Sequence, residues 1–281
     1  MEDLTRAADL FRPVHDRTNG LDGWVSLEVS PLLAHNTAST LAEAKQLFAR
    51  ANRPNLLIKI PGTKEGLPAI EEAIFAGIPV NVTLLFSPEQ YRAVAEAYIR
   101  GIERRIDAGL NPKVGSVASV FVSRWDTAVA GKVPPELTNR LGIAIARRTY
   151  QEYVKLLGSS RWQRAFNEGA IPQRLLFAST GTKDPKASDT LYVESLAVPL
   201  TVNTMPEATL QALADHGKVD ALPAKDMNGS ARTLDDFVRA GVNLSALGAQ
   251  LQEEGATSFV KSWNDLLNVI SSKTASLQQA A

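Results

Sequence analysis

Lys59 interrupts an otherwise aliphatic run, Leu56-Leu57-Ile58-Lys59-Ile60, and no placement in the sequence is more chemically suggestive. A buried ammonium is expensive unless it is paired, and a pair often gains little over apolar packing, so retention for chemistry is the stronger reading. Held away from water, an amine is pushed toward its neutral form, which attacks a carbonyl carbon to give a Schiff base. Proton movement in that chemistry needs a carboxylate, and Glu28, within Val25-Ser26-Leu27-Glu28-Val29, is the available one. A purely structural ion pair between the two is the alternative. Asn81 and Thr83 in Val80-Asn81-Val82-Thr83-Leu84, and Ser119 in Ala118-Ser119-Val120-Phe121-Val122, repeat the pattern of polar groups among aliphatic ones. Each could also be a satisfied core hydrogen-bonder.

Other chemistries find no footing. The chain has no cysteine, which excludes a disulfide framework, a thiolate nucleophile and a cysteine zinc site. His15, His35 and His216 are far apart and read as surface or loop residues. Neither phosphate-loop nor dinucleotide glycine spacing occurs, because Gly62-Thr63-Lys64 and Gly181-Thr182-Lys183 lack the upstream glycine. Thirty basic residues balance thirty acidic ones, so no global field draws nucleic acid or a membrane surface. With no apolar stretch near 20 residues and no signal-like N-terminus, a cytoplasmic protein is expected. A small anionic ligand would need local cations. Arg124 and Lys183, each just past a strand, are the candidates, with solvated loop charges as the alternative.

The elements that must position these residues follow from periodicity. Strand-like runs at 24–29, 55–60, 80–86, 114–122, 175–179 and 200–203 alternate with helical segments at 39–50, 64–76, 135–157, 206–216 and 234–240. Another helix starts at Ser87-Pro88-Glu89-Gln90, a capping box with proline in the first turn. A pair at 244–254 and 257–270 closes the chain, followed by a tail expected to fray. No linker is visible, so residues 1–281 read as a single domain. On five of the six strands, polar groups share one face and aliphatic groups the other. A closed parallel α/β barrel explains this, its aliphatic face meeting the helices and its polar face turned inward toward a site at the C-terminal mouth. An open doubly wound sheet, covered by helices on both faces, would show no polar face.

The runs Leu56-Leu57-Ile58-Lys59-Ile60, Asn81-Val82-Thr83-Leu84-Leu85-Phe86-Ser87 and Ser119-Val120-Phe121-Val122-Ser123-Arg124 resemble strands of the transaldolase family, in its longer bacterial branch. The resemblance extends from about residue 10 to about residue 270. It implies a (β/α)8 TIM-type barrel that moves a dihydroxyacetone unit between sugar phosphates in the pentose phosphate pathway, without metal or cofactor. Lys59 would be the Schiff-base lysine, Glu28 the carboxylate working with a water, and Thr83 a holder of that water. Asn81 and Ser119 would contact the sugar, Phe121 would wall the pocket, and Arg124, with Lys183, would grip the phosphate. Only six of the eight barrel strands are evident. The family's first-strand aspartate, which handles protons in carbon–carbon bond cleavage, and its second-strand asparagine have no counterpart. A fructose-6-phosphate aldolase-like activity and a non-catalytic remnant that binds sugar phosphates are the alternatives.

Overall fold

The computed structural model describes residues 1–219 and 224–280. Six strands form one parallel sheet in sequence order: β1 (Val25–Glu28), β2 (Leu56–Pro61), β3 (Val80–Leu85), β4 (Ser116–Phe121), β5 (Gln173–Ala178) and β6 (Thr201–Asn203). Among the described residues, the outer edges of β1 and β6 pair with no further strand.

Helices fill the connections: α1 (Glu2–Arg17) before β1, then α2 (Thr37–Ala51), α3 (Gly66–Phe75) and α4 (Pro88–Asp107). Between β4 and β5 lie α5 (Ser123–Val129), α6 (Leu141–Leu157) and α7 (Ser160–Asn167). After β5 come α8 (Leu191–Ser195), α9 (Glu207–His216), α10 (Ala224–Arg239) and α11 (Leu244–Ala280). The expected capping box of α4 is formed in both directions by Ser87 and Gln90. The helix expected at 135–157 divides instead: a 3-10 turn, Pro135–Leu137, precedes α6, and Asn139 between them takes φ 60°.

Two apolar clusters record the two faces of the sheet. Leu56, Ile58, Ile60, Val80, Val82, Ala118, Val120, Leu175 and Phe177 pack with α3, α4 and α6. Leu57, Leu84, Val117, Phe121, Leu176 and Ala178 form a separate cluster on the other face, joined by Leu251 and Ala256 of α11. Strand alternation assigns Leu84 to the helical side, and the structure reverses this. The register slips between Val82 and Leu85, and Leu84 adopts φ 60°, a left-handed conformation that is strained for a side chain of this size. The bulge turns Leu84 inward and leaves Leu85 with the helices.

The sheet is rolled rather than flat. Neighbouring strands lie about 4.8 Å apart, so β1 and β4 would be separated by roughly 14 Å in a flat sheet. Yet a Cβ built on Gly115, at the foot of β4, would fall 2.6 Å from the ring of Trp24, which precedes β1. Arg174 of β5 likewise donates to the Leu21 carbonyl at 2.7 Å. The segment after α1 thus crosses the N-terminal end of the sheet, and Asn55 fastens it with 2.8 and 2.9 Å bonds to the Ala8 and Gly23 carbonyls.

The opposite end is covered by α11. The two closing helices expected from the sequence are one 37-residue helix that continues through Gly255 and the tail expected to fray. Gly255 lies so close to Leu84 that a Cβ there would meet Cδ2 at 2.8 Å. Packing, not helix propensity, explains a glycine at this point of the helix.

Candidate active site

Register brings three polar residues into one row. Glu28 of β1 is the Cα partner of Lys59 on β2, and Lys59 is the partner of Asn81 on β3. Lys59 Nζ stands 3.0 Å from Glu28 Oε2, the side chains 24% and 27% exposed. This partial burial matters: water still reaches the pair, but most of the amine's surroundings are protein. Burial raises the Glu28 pKa above its ordinary 4.5, and the Lys59 ammonium only partly offsets that. The other carboxylate oxygen, Oε1, is buried without a protein partner, as is the Thr83 hydroxyl. Thr83, two residues past Asn81, shares its face.

A chain of hydrogen bonds runs beneath this row. Ser119 Oγ donates to Asn81 Oδ1 at 2.7 Å, and Asn81 Nδ2 donates to Ser26 Oγ at 3.1 Å. Asn81 and Ser119 are buried, which fixes the amide's orientation. Ser26, assigned no role from the sequence, is exposed and closes the chain at the open side of β1.

Further along the same face, Phe121 packs on Phe86 with ring centroids 5.3 Å apart and carries the Arg124 guanidinium 5.2 Å above its ring. Arg124 is half-buried, and burial lowers its pKa while Glu254 of α11 partly restores it. Among the described residues it has no ion pair or hydrogen bond, so its five donors are unspent, and its guanidinium lies over Phe121 and beside Gly255 of α11. Lys183 is different. It is exposed in the loop after β5, its Nζ folded back toward Gly181, and no described contact joins it to the Lys59 row.

The part of the site that sequence reasoning missed belongs to α11. Phe259 places its ring 5.4 Å from Lys59 Nζ. Gln252 donates to the Gly62 and Leu84 carbonyls at 3.1 and 2.9 Å, tying the helix to the ends of β2 and β3. No local pattern advertises a contact between residues 200 positions apart in the chain. Among the histidines, His35 and His216 are exposed, but His15 is a correction: it stacks edge-on against Trp24, centroids 4.8 Å apart, under the sheet. Among the described residues, no group of three or more histidine, aspartate or glutamate side chains is placed to hold a metal, and no helix is long and apolar enough to cross a membrane.

The arrangement can form and hydrolyse an imine: an amine, an adjacent carboxylate with a raised pKa, polar groups along the same face, and a guanidinium free to bind an anion. Comparison with known proteins places the chain in a family. Residues 1–270 match the family model described as transaldolase/fructose-6-phosphate aldolase. The chain is 48% identical to a transaldolase of Thermobifida fusca, over 97% of this chain and 77% of that protein. It is 48% identical to transaldolase 2 of Streptomyces avermitilis, over 99% and 77%, and 44% identical to a transaldolase of Mycolicibacterium smegmatis, over 95% and 74%.

Proposed function

Since the chain belongs to the transaldolase/fructose-6-phosphate aldolase family, whose fold is a (β/α)8 barrel, we propose that it is a cytoplasmic transaldolase. Its substrates are then sedoheptulose 7-phosphate and glyceraldehyde 3-phosphate, its products erythrose 4-phosphate and fructose 6-phosphate, within the pentose phosphate pathway. The observation that carries the reading is the Lys59–Glu28 pair, 3.0 Å apart and in register with Asn81 on the inner face.

In this scheme Glu28 takes a proton from the Lys59 ammonium, and the freed amine adds to the donor's ketone carbon. Loss of water from the carbinolamine gives the imine. Glu28 Oε1 and the Thr83 hydroxyl, both without protein partners, hold the water through which protons pass. Asn81 and Ser119 hydrogen-bond the sugar hydroxyls, Phe121 walls the pocket, and Arg124 binds the phosphate, with Lys183 a second cation at its rim. Cleavage of the C3–C4 bond leaves an enamine on Lys59, which then attacks the acceptor aldehyde. The base for the C4 hydroxyl is carried by none of the six strands; Asp3 and Asp9 sit exposed on α1, Asp9 bonded to Arg53 at 2.6 Å.

Imine formation needs only Lys59 and its carboxylate, so it can be tested by itself. Borohydride reduction in the presence of fructose 6-phosphate should leave an adduct on Lys59, located by peptide mass spectrometry. An unmodified Lys59 would refute the proposal. Release of free dihydroxyacetone, with none passed to an aldehyde phosphate, would assign an aldolase instead.

A further inference from the structure

The contact between Phe259 and Lys59 joins the chain's last helix to the reacting nitrogen, and it rests on a docked element. Gln252 donates to two strand-end carbonyls, Gln90 donates to the Gly248 carbonyl at 3.4 Å, and Gly255 allows α11 to approach Leu84 and Arg124. Phe259 lies one helical turn beyond Gly255, on the same face, with its ring 5.4 Å from Nζ.

We propose that Phe259 is a specificity-determining residue that screens the three-carbon unit on Lys59 from water, so that the unit is passed to an acceptor rather than hydrolysed. The proposal rests on the lysine chemistry above. Hydrolysis consumes one water: the enamine carbon gains a proton, the oxygen becomes the carbonyl of free dihydroxyacetone, and the C–N electron pair returns to Lys59 as the amine. An apolar ring beside the nitrogen narrows the approach of further water from the mouth, beyond the one assigned to Glu28 and Thr83, and its π face holds the resting ammonium toward the site. In transfer the enamine carbon bonds to the acceptor aldehyde first, and the one water is consumed only afterwards, when the product imine is opened and Lys59 recovers its amine. Water is therefore excluded only while the three-carbon unit waits for its acceptor.

Two readouts test it, and the first needs no turnover. In Phe259→Leu, acetylation of Lys59 by a water-soluble reagent, followed by mass spectrometry, should be about two- to fivefold faster than in the parent, the range spanned by loss of one partly exposed ring–cation contact. Exposed Lys183 is the internal reference and should not change. With fructose 6-phosphate and erythrose 4-phosphate, the ratio of free dihydroxyacetone to transfer product should rise by a similar factor in Phe259→Leu. Phe259→Tyr, which keeps the ring, should restore the parent ratio. A borohydride adduct in the parent combined with unchanged labelling and unchanged partition would overturn the role of Phe259 alone. No adduct in the parent would overturn the lysine chemistry, and this proposal with it.

Discussion

Lys59 Nζ and Glu28 Oε2 stand 3.0 Å apart because their Cα atoms are register partners on adjacent parallel strands. Neither side chain has to be held by a mobile loop, so the distance is set by the sheet itself. Glu28 is desolvated more than Lys59 compensates, which makes it a proton acceptor of raised affinity beside the amine.

Glu28→Gln should therefore keep substrate affinity while lowering kcat by about two to four orders of magnitude, the usual contribution of a general acid–base group. The sign of the pH dependence follows from the raised pKa. The carboxylate is the working form, so activity falls as pH drops through the native pKa, and the acid limb of kcat/KM should lie above 4.5. Glu28→Gln should lack that limb. A limb at or below 4.5 in the parent would contradict the assignment.

How far this site could be read in advance depended on whether neighbouring residues or distant ones built it. Lys59, Asn81 and Ser119 were legible because a strand with one interior face alternates polar with aliphatic residues, and the alternation is local. Leu84 was not, since a bulge turns it inward where its carbonyl meets the Gln252 donor, 168 residues away on another helix, and neither feature has a local pattern. The capping box at Ser87 and Gln90 lies within four residues and was visible, whereas the junction of α5 and α6 depends on the Asp126 side chain reaching across. Lys183 is an intermediate case: its loop sequence suggests a cation past the end of β5, and the fold leaves that side chain exposed with its Nζ near Gly181.

Arg124 has its donors free and its guanidinium laid over Phe121. Arg124→Lys keeps the charge but loses the planar fork and the stacking. Loss of one charge-assisted hydrogen bond, about 1.5–3 kcal/mol, predicts a rise of roughly ten- to a hundredfold in KM for fructose 6-phosphate. Neutral dihydroxyacetone, which has no phosphate, should form the borohydride adduct as in the parent. An equal loss for both compounds would place Arg124 outside phosphate recognition.

Gln252 satisfies two carbonyls, of Gly62 and of Leu84. Gln252→Met, similar in shape but without the donors, should destabilise the chain by about 1–3 kcal/mol, since two partly buried acceptors lose their partners. A lower urea midpoint at unchanged m-value would show this. The same variant loosens the helix that carries Phe259, so Lys59 acetylation should accelerate as in Phe259→Leu. Destabilisation without faster labelling would mean that α11 keeps its seat without these two bonds.

Asp126 gives a separate test of how α5, the helix bearing Arg124, is anchored. Its buried carboxylate accepts from the Leu141 and Gly142 amides at 2.9 and 3.1 Å and from the Tyr192 hydroxyl at 3.0 Å. It thereby supplies the start of α6 with the cap that Arg140 does not provide. Asp126→Ala leaves two buried amides and a hydroxyl unpaired and should cost about 2–5 kcal/mol; Asp126→Asn should cost less. Burial raises the native pKa above the ordinary 3.8, with the bonds from Tyr192, Leu141 and Gly142 pulling the other way. The native carboxyl therefore binds a proton more tightly than the unfolded one. Its contribution to stability is full below pH 3.8 and is lost as pH rises through the native pKa. Urea midpoints measured on acidification should show the parent gaining stability relative to Asp126→Asn. If the parent instead loses ground to that variant, the three hydrogen bonds outweigh desolvation, and the carboxylate is the form that the fold prefers.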